Sequence, residues 1–217
     1  MDITHTIALT MGVAWASGIN LYAAILVLGY LGTTGNIDLP PGLEILTDPM
    51  VMLAAGAMYC VEFFTDKIPG VDTGWDGLST FIRIPAGAVL AAGAVGDVSQ
   101  AAHLAAGIAG GTLAAGSHIT KAGSRVVINS SPEPFTNWFA SVGEDVAVIA
   151  GLWTALHNPV LFIVLLVLFI LLMIWLLPKL WRAIKKVFGW LARLFSAGGK
   201  PAAAQAEGAD EGGKRGT

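Results

Sequence analysis

Cysteine, charge and catalytic motifs are all scarce in this chain. Cys60 is its single cysteine, so no disulfide can form within the chain and no cysteine cage can hold a metal. Only 12% of the residues are charged, against roughly 25% in ordinary soluble domains. The formal charge of -3 offers no basic surface to a nucleic acid, and none is expected as a partner. The opening MDITHTIALT lacks the positive start of a cleaved signal peptide, so the first apolar stretch is expected to stay as a helix. No nucleophile elbow, phosphate-cradling glycine loop, HExxH or paired CxxC occurs, so neither an enzyme nor a cofactor is expected.

Apolar residues are what is abundant. They make up 55% of the 217 residues, and the mean hydropathy of +0.70 is more than a soluble core absorbs. The expectation is an all-α integral membrane protein with the bilayer as its solvent. A helix rises about 1.5 Å per residue and the hydrocarbon core is about 30 Å thick, so spans need roughly 17 to 25 mostly apolar residues. Six runs qualify: 7–31, 49–64, 80–95, 101–120, 138–156 and 160–178. The second and third are short and bordered by glycine and proline, which suggests partial crossings. This predicts a six-helix transmembrane bundle over 1–178.

Basic residues set the orientation, because cytoplasmic loops collect Lys and Arg. Lys67 and Arg83 bracket the second loop, Lys121 and Arg125 lie near the fourth, and eight more follow the last span. The loops 33–48 and 96–100 and the turn 157–159 have none. All twelve thus fall on one side of a six-span chain, which predicts both termini in the cytoplasm and a place in a bacterial inner (plasma) membrane. After the last span, Leu180, Ile184, Val187, Leu191 and Leu194 recur at steps of four and three among Lys and Arg, with Trp181, Phe188 and Trp190. An amphipathic helix is expected over 179–196, either at the headgroup level or packed on protein. The polar, glycine-rich 197–217 is expected to be a disordered tail.

The fourth run is almost wholly Ala and Gly, with small-xxx-small pairs at Gly107 and Gly111 and at Thr112 and Gly116. It is predicted to pack backbone to backbone in the middle of the bundle. The sixth, aliphatic on every face, is predicted to be peripheral. Ala16-Ser17-Gly18-Ile19-Asn20 resembles Ala114-Ala115-Gly116-Ser117-His118 three helices later. Such spacing suits a 3+3 inverted repeat, an architecture that places substrate where helices are interrupted.

An ionised side chain at membrane depth costs roughly 2.5 to 3.5 kcal/mol on the insertion scale, so each calls for a partner or a purpose. Glu62 and Asp66 share a helix face, and Lys67, Asp72, Asp76 and Arg83 follow in IPGVDTGWDGLSTFIRIP, a stretch too rich in proline and glycine for one straight helix. Glu144 and Asp145 lie deep in the fifth run, which offers them no basic residue. They point about 100° apart, so only one of them is expected to face the second and fourth helices. In one reading Asn20, Glu62, Asp66, His118, Glu144 and Asp145 line a site for a cation, a proton or a small polar solute. Which metal, if any, it takes is left open. In the other, Lys67, Arg83, Lys121 and Arg125 neutralise the acids as structural ion pairs near the cytoplasmic surface.

The stretches ASGINLYAA, VEFFTDKIPGVDTGWDGLSTFIRIPAGA and SHITKAGSRVVINSSPEPFTNWFASVGED resemble a bacterial membrane family, domain of unknown function 4126. The resemblance covers roughly 7–156 and implies a multi-span helical membrane protein; it brings no substrate or site residue with it. The two acidic stretches are also loosely similar to small cation exchangers, although Gly143-Glu144-Asp145-Val146 lacks the basic residue that follows the first. The expected function is a small secondary transporter or channel-like carrier. The alternative is a membrane scaffold acting through its amphipathic C-terminal helix. Expected partners are the bilayer, a small ion or polar solute, and optionally a second copy of the chain.

Overall fold

A computed structural model describes residues 2–129 and 134–197. Six α-helices follow in order: α1 (Ile3–Thr33), α2 (Pro49–Thr65), α3 (Val71–Ala94), α4 (Gln100–Ile128), α5 (Pro134–His157) and α6 (Pro159–Ala197). A short 3-10 helix, Pro41–Thr47, precedes α2 at a bend of 68°. No strand occurs among the described residues. By length and composition α1, α3, α5 and α6 are apolar enough to cross a membrane, and the bent pair ending in α2 makes up to five. The chain is therefore a membrane-embedded helical protein.

Local chemistry starts these helices. The Asp2 carboxylate caps α1 by accepting from the His5 amide at 2.8 Å, a bond that holds its carboxyl below the usual carboxylate range. Asp48 caps α2 ahead of Pro49, accepting from Met50 N at 2.7 Å. Gly70, at φ +86°, supplies the left-handed turn before α3.

The path of α1 departs from the expected straight crossing over 7–31. At Asn20 the backbone leaves the helix (φ -146°, ψ 95°), and the Asn20 Oδ1 accepts from Ala23 N at 2.9 Å to cap a second half. The first half packs Gly12 on Ala155 and Phe162, and Gly18 on Ser117 and the Ala114 carbonyl. The second half packs Gly29 on the Leu46 carbonyl and Gly32 on Leu39 and Thr47. Leu39 in turn shares one cleft with Ile3, His5, Thr6, Val95 and Leu156. A straight helix of 31 residues would separate its ends by about 45 Å. Both ends of α1 instead lie on one face, with loops 34–48 and 95–99, so α1 is a hairpin whose tip is Asn20. Only α2 to α6 run from face to face. The start of α1 thus lies at the end of the bundle away from Gly123 of α4 and the Leu180 and Ile184 side chains of α6 that pack on it.

The hairpin occupies the centre of the bundle, with Ala8, Val13, Ala14, Ala16, Ala24 and Leu28 fully enclosed. It displaces α4 from the middle position predicted for it. The small residues of α4 do bring its backbone close to α3, since a Cβ on Gly110 would stand 2.2 Å from that of Ala91. The predicted break within 68–85 is also corrected, because α3 is helical from Val71 through Pro85. Its buried Asp72, Asp76, Ser79, Arg83, Gly87, Leu90 and Ala94 form one stripe at steps of three and four, and tertiary partners along it outweigh the weak propensity of Gly74 and Gly77.

Helix α6 is peripheral, with Leu161, Leu168, Leu172 and Trp175 exposed. It continues unbroken through Pro178, so the boundary drawn at 178 falls inside one helix. Leu180 and Ile184 pack on Gly123 of α4. The side chains of Val187, Phe188, Trp190, Leu191 and Leu194, the turn 130–133 and the predicted tail beyond Ala197 lie outside the described residues.

The hairpin gives a sidedness test. In a Cys60→Ala background, Ile3→Cys and Asn36→Cys should react with a membrane-impermeant thiol reagent from the same side, and Lys186→Cys from the other. Labelling of Ile3→Cys together with Lys186→Cys would mean that α1 crosses.

Candidate functional site

The break at Asn20 frees backbone groups at the hairpin tip, and the carbonyl of Ile19 becomes an acceptor for two cations. Arg83 Nη1 donates to it at 3.0 Å and Lys121 Nζ at 3.1 Å. Cations at the carbonyl end of a half-helix complement its dipole. Ser17 donates to the Arg83 carbonyl at 2.9 Å, tying the hairpin to α3.

Around this tip a connected ion network is buried. Arg83 Nη2 donates to Glu62 Oε1 in a short contact, and Arg83 Nη1 lies 3.5 Å from Asp76 Oδ1. Lys121 Nζ is 3.1 Å from Glu62, 2.9 Å from Asp66, 3.3 Å from Glu144 and 3.8 Å from Asp76. Arg125 takes Glu144 in a two-pronged pair at 3.2 and 2.7 Å and reaches Asp66 Oδ2 at 3.5 Å. Its Nη1 also donates to the backbone carbonyl of Asp66 at 3.0 Å and to that of Asn137 at 3.2 Å. Arg83, Arg125, Glu62 and Asp76 are at most 1% exposed, whereas the Glu144 side chain keeps 19% of its surface. Four carboxylates thus share three cations.

Two further networks, in which an aspartate accepts from uncharged donors, flank the ions. Asp145 accepts from Asn20 Nδ2 at 2.8 Å and from Tyr59 Oη at 2.9 Å, pinning the hairpin tip to α5 and α2. Asp72 accepts from Asn129 Nδ2 at 2.8 and 2.9 Å, from Asn137 Nδ2 at 3.2 Å and from two backbone amides, closing the far end of the bundle. His118 stands between networks: its Nε2 is 2.8 Å from Thr80 Oγ1 and 3.1 Å from the Asp76 carbonyl, and its Nδ1 faces Arg83 Nη1 at 3.4 Å. An arginine only donates, so Nδ1 accepts and the ring proton sits on Nε2. Lys67 has turned away, its ammonium 2.9 Å from the centre of the Phe63 ring and donating to the Phe63 carbonyl.

The two arrangements set out as alternatives from the sequence coincide here. Glu62, Asp66 and Glu144 come together, and Arg83, Lys121 and Arg125 are what they meet. Asn20 and Asp145 pair beside this group, and His118 joins it through Arg83. Glu144 and Asp145 both find partners, on α4 and on α1 with α2 respectively, where only one was expected to face inward. Asp76 was named among the charged residues but not assigned to the site, and Tyr59, Thr80, Asn129 and Asn137 were not singled out. The step from Asp72 to Asp76, Ser79 and Arg83 was a usable signal for Asp76; nothing in the sequence marks Asn137.

Glu62 Oε2, Asp66 Oδ1, Asp76 Oδ2 and Arg83 Nε are buried without a hydrogen-bond partner among the described residues. Such atoms are costly in a low-dielectric interior. No three His, Cys, Asp or Glu side chains among the described residues converge as metal ligands.

An apolar helix bundle built round a broken central helix and a buried ion network defines a polytopic membrane protein. The chain matches the family described as Domain of unknown function (DUF4126) over residues 7–179, and it belongs to that family. No curated protein and no solved structure matches it.

Removing one partner of a buried pair leaves an uncompensated charge, which costs about 3–5 kcal/mol. Glu62→Gln, which strips Arg83 and Lys121 of a shared acceptor, should lower thermal stability in detergent by that order, while Glu44→Gln on the exposed 3-10 helix should not. Equal melting temperatures would show the network to be energetically idle.

Proposed function

We propose that this protein is a small secondary carrier for a cation, a proton-coupled solute or a small polar metabolite. It sits in a bacterial inner membrane with five crossing helices and one re-entrant hairpin. The observation that carries this reading is the juxtaposition of a helix broken at Asn20 with a buried ion network holding unpartnered carboxylate oxygens. Half-crossing helices that end at mid-bundle bring backbone carbonyls and capped N-termini to a solute without exposing them to lipid. Glu144, the least buried member, gives the network its contact with the outside of the bundle. The basic residues after the last span support a cytoplasmic C-terminal face, and the hairpin reading then puts the start of α1 at the opposite face. The proposal does not extend to an inverted repeat, because α4 is unbroken at His118 where α1 folds back.

A second reading, a scaffold whose ion pairs only fasten helices, draws on the two-pronged Arg125–Glu144 pair. Glu144→Gln separates the two. In liposomes containing a pH-sensitive dye, a carrier should show proton flux under an imposed potential that falls at least about tenfold in the variant, with little loss of folded protein. Absence of flux in the unaltered protein under proton, sodium and potassium gradients, with Glu144→Gln lowering only stability, would favour the scaffold.

A further inference from the structure

The ion network carries one more carboxylate than cation, and the four carboxylates are not held alike. Glu62 meets Arg83 and Lys121, Asp66 meets Lys121 at 2.9 Å, and Glu144 takes both prongs of Arg125. Among the described residues Asp76 has only distant contacts on Oδ1, 3.5 Å to Arg83 and 3.8 Å to Lys121, and no partner on Oδ2, although it is 1% exposed. A buried surplus negative charge is expensive, and the group least compensated by its neighbours is where it is most cheaply removed.

We infer that Asp76 binds a proton at its unpartnered Oδ2, and that this proton is the coupling ion of the carrier. The inference rests on the carrier reading for the proton's role, but not for its presence. In the step itself, an O–H bond forms on Oδ2 as hydronium gives up its proton to leave water, and the network becomes neutral. Release reverses it.

The surroundings favour a proton over a metal cation. Asp76 is faced by Arg83 on its own helix, by Lys121 on α4, with His118 at its backbone carbonyl, by Asp66 on α2 and by Glu144 on α5; α1 adds the Ile19 carbonyl, which Arg83 and Lys121 already occupy. A sodium-like ion needs several oxygen ligands at close range and would lie beside an ammonium and a guanidinium. A proton needs one oxygen and brings no shell. Thr80 and His118 pair with each other, and His118 also meets the Asp76 carbonyl, so the helix turn that carries Asp76 is fixed independently of its carboxyl.

Infrared spectra of the full-length protein in lipid at neutral pH test this. A protonated-carboxyl C=O band that shifts in heavy water should be present and should be lost in Asp76→Asn, whose amide copies the neutral form and should keep the melting temperature. Asp97→Asn, outside the network, should leave the band in place. A wild-type protein without such a band, or a band unchanged in Asp76→Asn, would overturn the inference. So would a sodium-dependent rise in melting temperature that Asp76→Asn abolishes, because it would assign the site to a metal cation. A band lost in Asp76→Asn from a protein that moves no protons would uphold protonation and defeat the carrier reading instead.

Discussion

One buried ammonium holds this bundle together. Lys121 reaches carboxylates from α2, α3 and α5 and the Ile19 carbonyl of the hairpin, so a single side chain on α4 touches every element that forms the site. A charge at this depth is tolerable only when fully surrounded by partners, which makes the position of each acid a condition on all the helices at once. The small residues follow from the same demand. Gly18 lies against Ser117 and Gly87 against Ala114, and a Cβ at either glycine would stand within 2.5 Å of an atom on α4. Without that close approach Lys121 and Arg83 would not reach the hairpin tip.

The hairpin and the network are mutually dependent. Breaking α1 at Asn20 costs helical hydrogen bonds, and the loss is offset by Arg83 and Lys121 on the Ile19 carbonyl, by the Asn20 cap on Ala23 and by the Asp145 contact to the Asn20 amide. In return the tip supplies the cations with an acceptor that no side chain provides.

Much of this was legible in the residues, and the misses have physical causes. Membrane embedding, the helical class and the family follow from hydropathy and from long motifs. The pairing of acids with Arg83, Lys121 and Arg125 follows from the cost of unpaired charge in an apolar span. The hairpin was not legible because a hydropathy window counts apolar residues without asking about direction, and a 31-residue apolar run with no proline reads as one crossing. The basic residues could not correct it. The first ten residues contain no Lys or Arg, so the one-sided distribution is equally satisfied with the N-terminus on either face. For α3 the glycines at 74 and 77 masked a polar stripe whose 4-3-4 step pointed to a helix.

The most direct test of the account is the distance between the ends of α1. With spin labels at Ile3→Cys and Thr34→Cys in a Cys60→Ala background, pulsed electron resonance in lipid should give a separation of roughly half the straight-helix value of about 45 Å, or less. A distribution centred near that full length would show that α1 crosses as one rod, and the hairpin tip, with the site built on it, would fall.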